Sequence, residues 1–203
     1  MDKEYRRIHT REDLKEWIEL ETRRFPNQGK YRLMNLLNVG ENAILRRNQI
    51  MLRKTEYYIN SGCRLRAKLY KLRLLQYQRK YGMHIPPNVF GKGLLIMHAG
   101  EMHINDKARA GENCVVHVLT SLAAGGTTYK VPHIGDGVVL FMGAIVCGDT
   151  YIADNVVIGA NSVVSKSVFE ENVTITGSPA QIVSHKGRIE MDERLKREKE
   201  EKQ

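Results

Sequence analysis

The side chains of this sequence best suited to chemistry near neutral pH are seven histidines and three cysteines. Cys63, Cys114 and Cys147 are odd in number and form neither a CxxC pair nor a His-spaced set, which argues against a disulfide framework or a zinc site. No metal is predicted, and a reducing, cytoplasmic setting is expected. The histidines remain as proton carriers, because imidazole changes charge close to neutrality. His84, His98, His103, His117 and His133 all fall within one stretch of 50 residues. Taken alone, His103 and His117 occupy places where side chains turn outward, and His133 ends an irregular segment. His98 by itself reads as a surface imidazole at a corner.

Charge is the second chemical feature. The chain carries 32 Lys+Arg against 23 Asp+Glu, a net of +9, and the excess is N-terminal: residues 1–88 hold 20 basic and 9 acidic side chains, residues 89–185 hold 5 and 8. Within 46–80, eleven basic residues face Glu56 alone. Such a segment attracts anions, whether nucleic acid, lipid headgroups, an acidic glycan or a phosphate-bearing cofactor, and a solvated helix face explains it equally well.

These residues need elements to hold them. A length of 203 residues with 42% hydrophobic and 27% charged side chains suits one domain plus a helical extension and excludes a largely disordered or fibrous chain. No apolar run approaches the roughly 18 residues of a membrane span, and the charged start shows no secretory signal. From Thr10 to Tyr81 apolar residues recur at three and four: Leu14, Trp17 and Ile18, then Leu33, Leu36 and Leu37, then Leu65, Leu69, Leu72 and Leu75. That spacing predicts helices, with a start at Thr10, breaks at 26–29 and at Asn60-Ser61-Gly62, and an end at Gly82 and Pro86-Pro87.

After Pro87 the period changes to six. From Ile134 to Phe169 six consecutive frames begin with an aliphatic residue: Ile134, Leu140, Val146, Ile152, Ile158 and Val164. Each fifth position is small or β-branched, and Gly, Asn and Asp gather between, where a corner needs positive φ. Ile104 and Ala110 keep the same phase. Hexapeptide repetition marks a β-helix, in which each repeat is a short strand plus a corner and three repeats close a coil. Residues 122–133 break the pattern and read as a loop projecting from the prism. The fold class expected is α+β: a helical, strongly basic region over 1–81, a parallel β-helix over 82–185 with one projecting loop, and a charged tail over 186–203, helical beyond 190.

The lead-in Phe90-Gly91-Lys92-Gly93-Leu94, the segment Ile96-Met97-His98-Ala99, the run Ile158-Gly159-Ala160-Asn161-Ser162-Val163-Val164 and the exit Gly177-Ser178-Pro179-Ala180-Gln181-Ile182-Val183 resemble the serine acetyltransferase family of hexapeptide-repeat acyltransferases. The resemblance implies a left-handed winding, acetyl-CoA as donor, a hydroxyl acceptor, no nucleic acid partner, and a homotrimer with active sites between neighbouring prisms. It implies His98 as the general base, taking the proton of an alcohol that is too weak a nucleophile unaided and returning it to the departing thiolate. His84 falls near the family's base-orienting aspartate, and Lys130 near its acceptor-carboxylate arginine. Gly125 and Gly126 are candidate oxyanion donors. Gly143, Ala144, Gly159 and Ala160 are the candidate pantetheine edge, with Lys166, Lys186 and Arg188 for the nucleotide phosphates.

Met97 stands where that family carries an aspartate that holds the amino acid. A methionine cannot pair an ammonium, so the acceptor expected here is a sugar hydroxyl of a capsular or other surface polysaccharide, with L-serine as the alternative. The basic helices would then touch an acidic glycan or the inner face of the membrane. A reading from another class is a non-catalytic hexapeptide scaffold that binds an acidic polymer or a membrane surface.

Overall fold

A computed structural model describes residues 5–189; the helical reading of the tail beyond 190 lies outside them. Among the described residues four helices precede a stack of short strands: α1 (Arg11–Thr22), α2 (Lys30–Leu37), α3 (Glu41–Asn60) and α4 (Arg64–Lys80). Helix α1 begins where a helix start is expected. The Thr10 hydroxyl accepts from Asp13 N, and the Asp13 carboxylate accepts from Thr10 N, a reciprocal capping box. Asn60-Ser61-Gly62 separates α3 from α4, with Gly62 at φ 74°.

The strands form three parallel sheets. Sheet A contains β1 (Met83–His84), β3 (Met102–Ile104), β6 (Ser121–Ala123), β9 (Ile145–Cys147) and β12 (Val163–Val164). Sheet B contains β4 (Arg109–Ala110), β7 (His133–Ile134) and β10 (Tyr151–Ile152). Sheet C contains β2 (Leu95–Ile96), β5 (Val115–Val116), β8 (Val139–Leu140), β11 (Val157–Ile158) and β13 (Thr174–Gly177), and the last strand, β14 (Ala180–Ser184), runs antiparallel to β13. The chain passes from C to A to B and back, one coil per circuit.

The six-residue period is the cause. The aliphatic residues that open the frames, from Ile134 to Val164, are all buried, as are Ile104 and Ala110, and they stack in the prism's interior. The fifth positions Val138, Ala144, Thr150, Val156 and Ser162 are buried as well. Positive φ falls at the corners, at Gly137, Gly143, Asn155 and Asn161. Successive coils also approach closely: a Cβ on Gly135 would lie 2.8 Å from the Ala153 carbonyl carbon and the Asp154 nitrogen of the next coil. Asp154 Oδ1 accepts from Asp136 N at 2.7 Å, and Asp136 Oδ1 from Glu112 N at 2.7 Å, so carboxylates tie one coil to the next. Residues 124–132 lie outside any strand between β6 and β7, and 126–130 are exposed.

The helices cover the first coil, whose outer edge has no strand above it among the described residues. Its polar backbone is satisfied by helix side chains instead. Gln78 pairs with both Ile85 N and Ile85 O, Glu56 accepts from Asn88 N, Arg53 donates to Phe90 O and Gly91 O, Glu21 accepts from Gly93 N and Leu94 N, and Gln49 donates to Leu94 O. Arg53 is fully buried between Glu21 (2.7 Å) and Glu56 (2.8 Å), with its guanidinium 4.8 Å from the Trp17 ring centroid. Burial works to depress its ionisation, yet Glu21 and then Glu56 hold it above the usual arginine value. Burial pushes Glu56 up, opposed by Arg53 and the Asn88 N–H.

Two points that the helical spacing leaves open are decided by this packing. Arg53 belongs to the core and not to a solvated basic face. Leu33, Leu36, Leu65, Leu69 and Leu72 have helical spacing but point away from the core, with Leu65 83% exposed. Spacing fixes which residues share a face, and only packing decides which face is covered.

Candidate active site at the corner between sheets C and A

His98 lies on the corner that joins β2 to β3. Leu95 pairs with Val115 and His103 with Ser121 in adjacent coils. Eight positions therefore separate Leu95 from His103, where six separate Val115 from Ser121, and the two extra residues make this corner bulge at His98. Its Nδ1 is 3.3 Å from Glu41 Oε1 and 3.4 Å from Oε2. Glu41 Oε1 also accepts from Ala99 N at 3.0 Å, so one carboxylate grips both the ring and the backbone beside it. Glu41 opens α3, where the unpaired N–H groups of the first turn favour a negative side chain.

Held in this way, Nδ1 carries the hydrogen and donates it to Glu41, which leaves Nε2 as the proton acceptor. Both side chains are about half exposed, at 51% and 48%, so solvent can reach the pair. Arg24 comes to the same place from the end of α1. Its Nη1 is 3.7 Å from Met97 Sδ and its guanidinium lies 4.9 Å from the Phe25 centroid. Burial lowers the Arg24 pKa, and the Glu41 charge partly offsets this. One imidazole, one carboxylate and one guanidinium thus share the corner.

Down the same edge the next coils contribute His117 and Phe141. The His98 and His117 ring centroids are 6.4 Å apart, and His117 stacks on Phe141 at 4.9 Å. Burial, then the neighbouring His98, lowers the His117 pKa. Gly143, Gly159 and Ala160 follow on this edge, but Ala144 is fully buried, so its methyl faces the interior and only its backbone is available to a ligand.

The other residues expected at the site lie elsewhere in the single chain. His84 does not orient His98; it sits on the outer face of sheet A, stacked on His103 at 5.0 Å. Lys130, Gly125 and Gly126 belong to the corner between A and B, where Lys130 Nζ pairs with Asp149 at 2.5 Å. Gly125 N is already committed to Lys130 O at 2.8 Å. Lys166 is exposed on that A–B corner, and Lys186 follows β14, its carbonyl accepting from Thr174 Oγ1. Arg188 donates to the backbone carbonyls of Asn113 and Gly137 on the corner between B and C, away from His98. The partners that sequence reasoning missed are Glu41 and Arg24, which lie 57 and 74 positions from His98. Periodicity carries no signal for them.

Residues 132–166 match the family model described as bacterial transferase hexapeptide (six repeats), the stretch in which the buried aliphatic stack is least interrupted. That match places hexapeptide repeats of the transferase type in this stretch of the prism. This hexapeptide-repeat chain is 36% identical over 110 residues to a serine acetyltransferase of Staphylococcus epidermidis, covering 53% of this chain and 51% of that relative. It is 37% identical over 110 residues to the serine acetyltransferase of Staphylococcus xylosus, covering 53% and 50%. The chain thus spans about half the length of the curated relatives it matches. Among solved structures it superposes on a serine acetyltransferase of Neisseria gonorrhoeae with a TM-score of 0.65 at 24% identity, over 92% of this chain and 72% of that one. The serine complex of the Neisseria gonorrhoeae enzyme gives 0.63 at 25%, over 86% and 70%. The fold of these solved structures is therefore shared over most of this chain, well beyond the repeats.

Proposed function

We propose that this protein is an O-acetyltransferase of the serine acetyltransferase type, which moves the acetyl group of acetyl-CoA to the hydroxyl of a small amino-acid acceptor, L-serine foremost. The observation that carries this is the pairing of His98 with Glu41 at a bulged corner. Nε2 of His98 removes the acceptor's hydroxyl proton as the oxygen attacks the thioester carbonyl. The C–S bond then breaks, and the same nitrogen returns the proton to the thiolate of CoA, so the imidazole ends as it began. Glu41 fixes the tautomer and steadies the imidazolium formed between the two steps.

The acceptor follows from charge. A polysaccharide hydroxyl is the acceptor expected when Met97 is considered alone. Glu41 supplies a carboxylate to the same corner from α3, and Arg24 a guanidinium from α1, so opposite charges for an ammonium and a carboxylate are both at hand. The serine complex of the Neisseria gonorrhoeae enzyme, which shares this fold, supports the same choice. A serine acetyltransferase structure in complex with CoA, at a TM-score of 0.62, supports the donor. The edge below His98, where Phe141 and Met142 are exposed beside Gly143 and Gly159, offers an apolar and thin track for a pantetheine arm.

The left-handed winding and trimeric assembly of that family belong to this reading. With the A–B corner of one prism facing the C–A corner of the next, Lys130 and the 125–126 glycines would reach the His98 of a neighbour. The domain division at 81/82 is part of the same reading. Release of CoA thiol from acetyl-CoA, measured with serine and with N-acetylglucosamine as acceptors, tests it. Serine-dependent release that disappears in His98→Ala is expected. Release with the sugar alone would restore the glycan reading, and no release with either would leave a scaffold.

A further inference from the structure

A second cluster of cations lies apart from His98, in a cavity of about 500 Å³ between α4 and the first coil. Arg7, Lys71 and Arg109 line it together with the stacked imidazoles of His84 and His103, and Asp106 is the one carboxylate among its lining residues. One wall is apolar, built by Leu74 and Leu75 of α4 and by Ile85 and Pro86 after β1. The Arg109 head is held in place, its Nη1 donating to Asp106 O at 3.0 Å and Ala108 O at 2.7 Å. Neither His98, Glu41 nor Arg24 contributes to this cavity.

We propose that this cavity binds a small organic anion, a phosphate or carboxylate group carried on a compact apolar body. Arg109, held by two backbone carbonyls, together with the exposed Arg7 and Lys71, faces one carboxylate, which leaves a positive surplus in a concave space where an anion is attracted more strongly than on an open surface. The ionisation of the lining groups shows the same strain. Burial, then Arg7, lowers the Arg109 pKa, with Asp106 opposing, and burial, then His103, lowers that of His84. A bound anion would oppose the repulsive part of both shifts, that from Arg7 and that from His103, which makes the imidazoles reporters as well as ligands. The apolar wall sets the rest of the ligand, since a bare inorganic anion would leave it wet. The inference stands independently of the acetyl-transfer reading.

The test follows the histidine ring protons of the full chain by NMR during titration with phenyl phosphate, benzoate, inorganic phosphate and benzyl alcohol. Saturable movement of the His84 and His103 signals by phenyl phosphate or benzoate is expected, with a rise in the His84 titration midpoint and no movement of His185, whose ring pairs with Glu170 well away from the cavity. The tighter of the two probes names the charged group. Inorganic phosphate should bind several-fold more weakly. In Lys71→Gln, on the exposed side of α4, affinity should fall roughly tenfold, the loss of one charge-assisted hydrogen bond, and in Arg7→Gln/Arg109→Gln, which removes two cations, by about a hundredfold. The proposal is overturned if no probe moves the two signals, if benzyl alcohol moves them as strongly, if inorganic phosphate binds as tightly as phenyl phosphate, or if the variants bind like the parent.

Discussion

His98 and Glu41 form a dyad whose members come from different halves of the chain, and each can be removed separately. His98→Ala should lower kcat by about 10²–10⁴, the usual contribution of a positioned base, with acetyl-CoA binding by calorimetry unchanged. Glu41→Gln keeps the shape and removes the charge. Because the pair is half exposed, the loss should be near 1 kcal/mol, roughly fivefold in kcat, and a steady-state assay should show it in kcat more than in the KM for acetyl-CoA. Arg24→Met should instead raise the KM for serine about tenfold, one charge-assisted contact, and leave the KM for acetyl-CoA as it was. His98 was legible because it falls in a short motif beside recognisable hexads. Glu41 and Arg24 were not, since they stand at helix ends, where charged residues are common for capping alone, and only the fold brings them to Met97 and His98.

At the scale of the elements, the strands were legible almost frame by frame, because each aliphatic first position must stack on the one above and the period leaves no slack. The glycines between them answer to a different demand. Gly135 has an ordinary φ but the backbone of the next coil against it, so Gly135→Ala must push two coils apart. A destabilisation of about 1–3 kcal/mol is expected, read as a lower denaturant midpoint with an unchanged m-value. The helices were legible at their start at Thr10 and at the breaks at 26–29 and 60–62, but not at the break between α2 and α3, where Asn38 and Gly40 take positive φ, and not in their orientation. Leu33 and Leu65 sit at core-like spacing and face outward, since low-resolution patterning cannot tell a face packed on its own chain from one left open.

Over the whole molecule, the junction of helices and prism depends on buried polar groups that no hydrophobic pattern announces. Arg53→Met would strand Glu21 and Glu56 in the interior and remove two donors to the first coil, a cost of about 3–5 kcal/mol, visible as a large fall in Tm. Acid acts on the molecule through other groups. The folded chain holds His84 and His117 below the unfolded histidine value of about 6.5, so the unfolded chain takes up protons first. Their effect on stability is nil above about pH 6.5 and becomes unfavourable as pH falls through the lowered folded values. Tm measured across that range should drop with acid, and less steeply in His84→Gln/His117→Gln.

The reversal of direction at β14 reaches beyond the single chain. A column of parallel rungs ends in bare N–H and C=O groups that could recruit the next column and grow into a fibre. Here the last rung of sheet C is met by a strand running the opposite way, while the opposite end is plugged by glutamine, glutamate and arginine side chains from the helices. Among the described residues, then, neither end of sheet C continues the column's parallel direction, and end-to-end growth by simple repetition of the rungs is disfavoured.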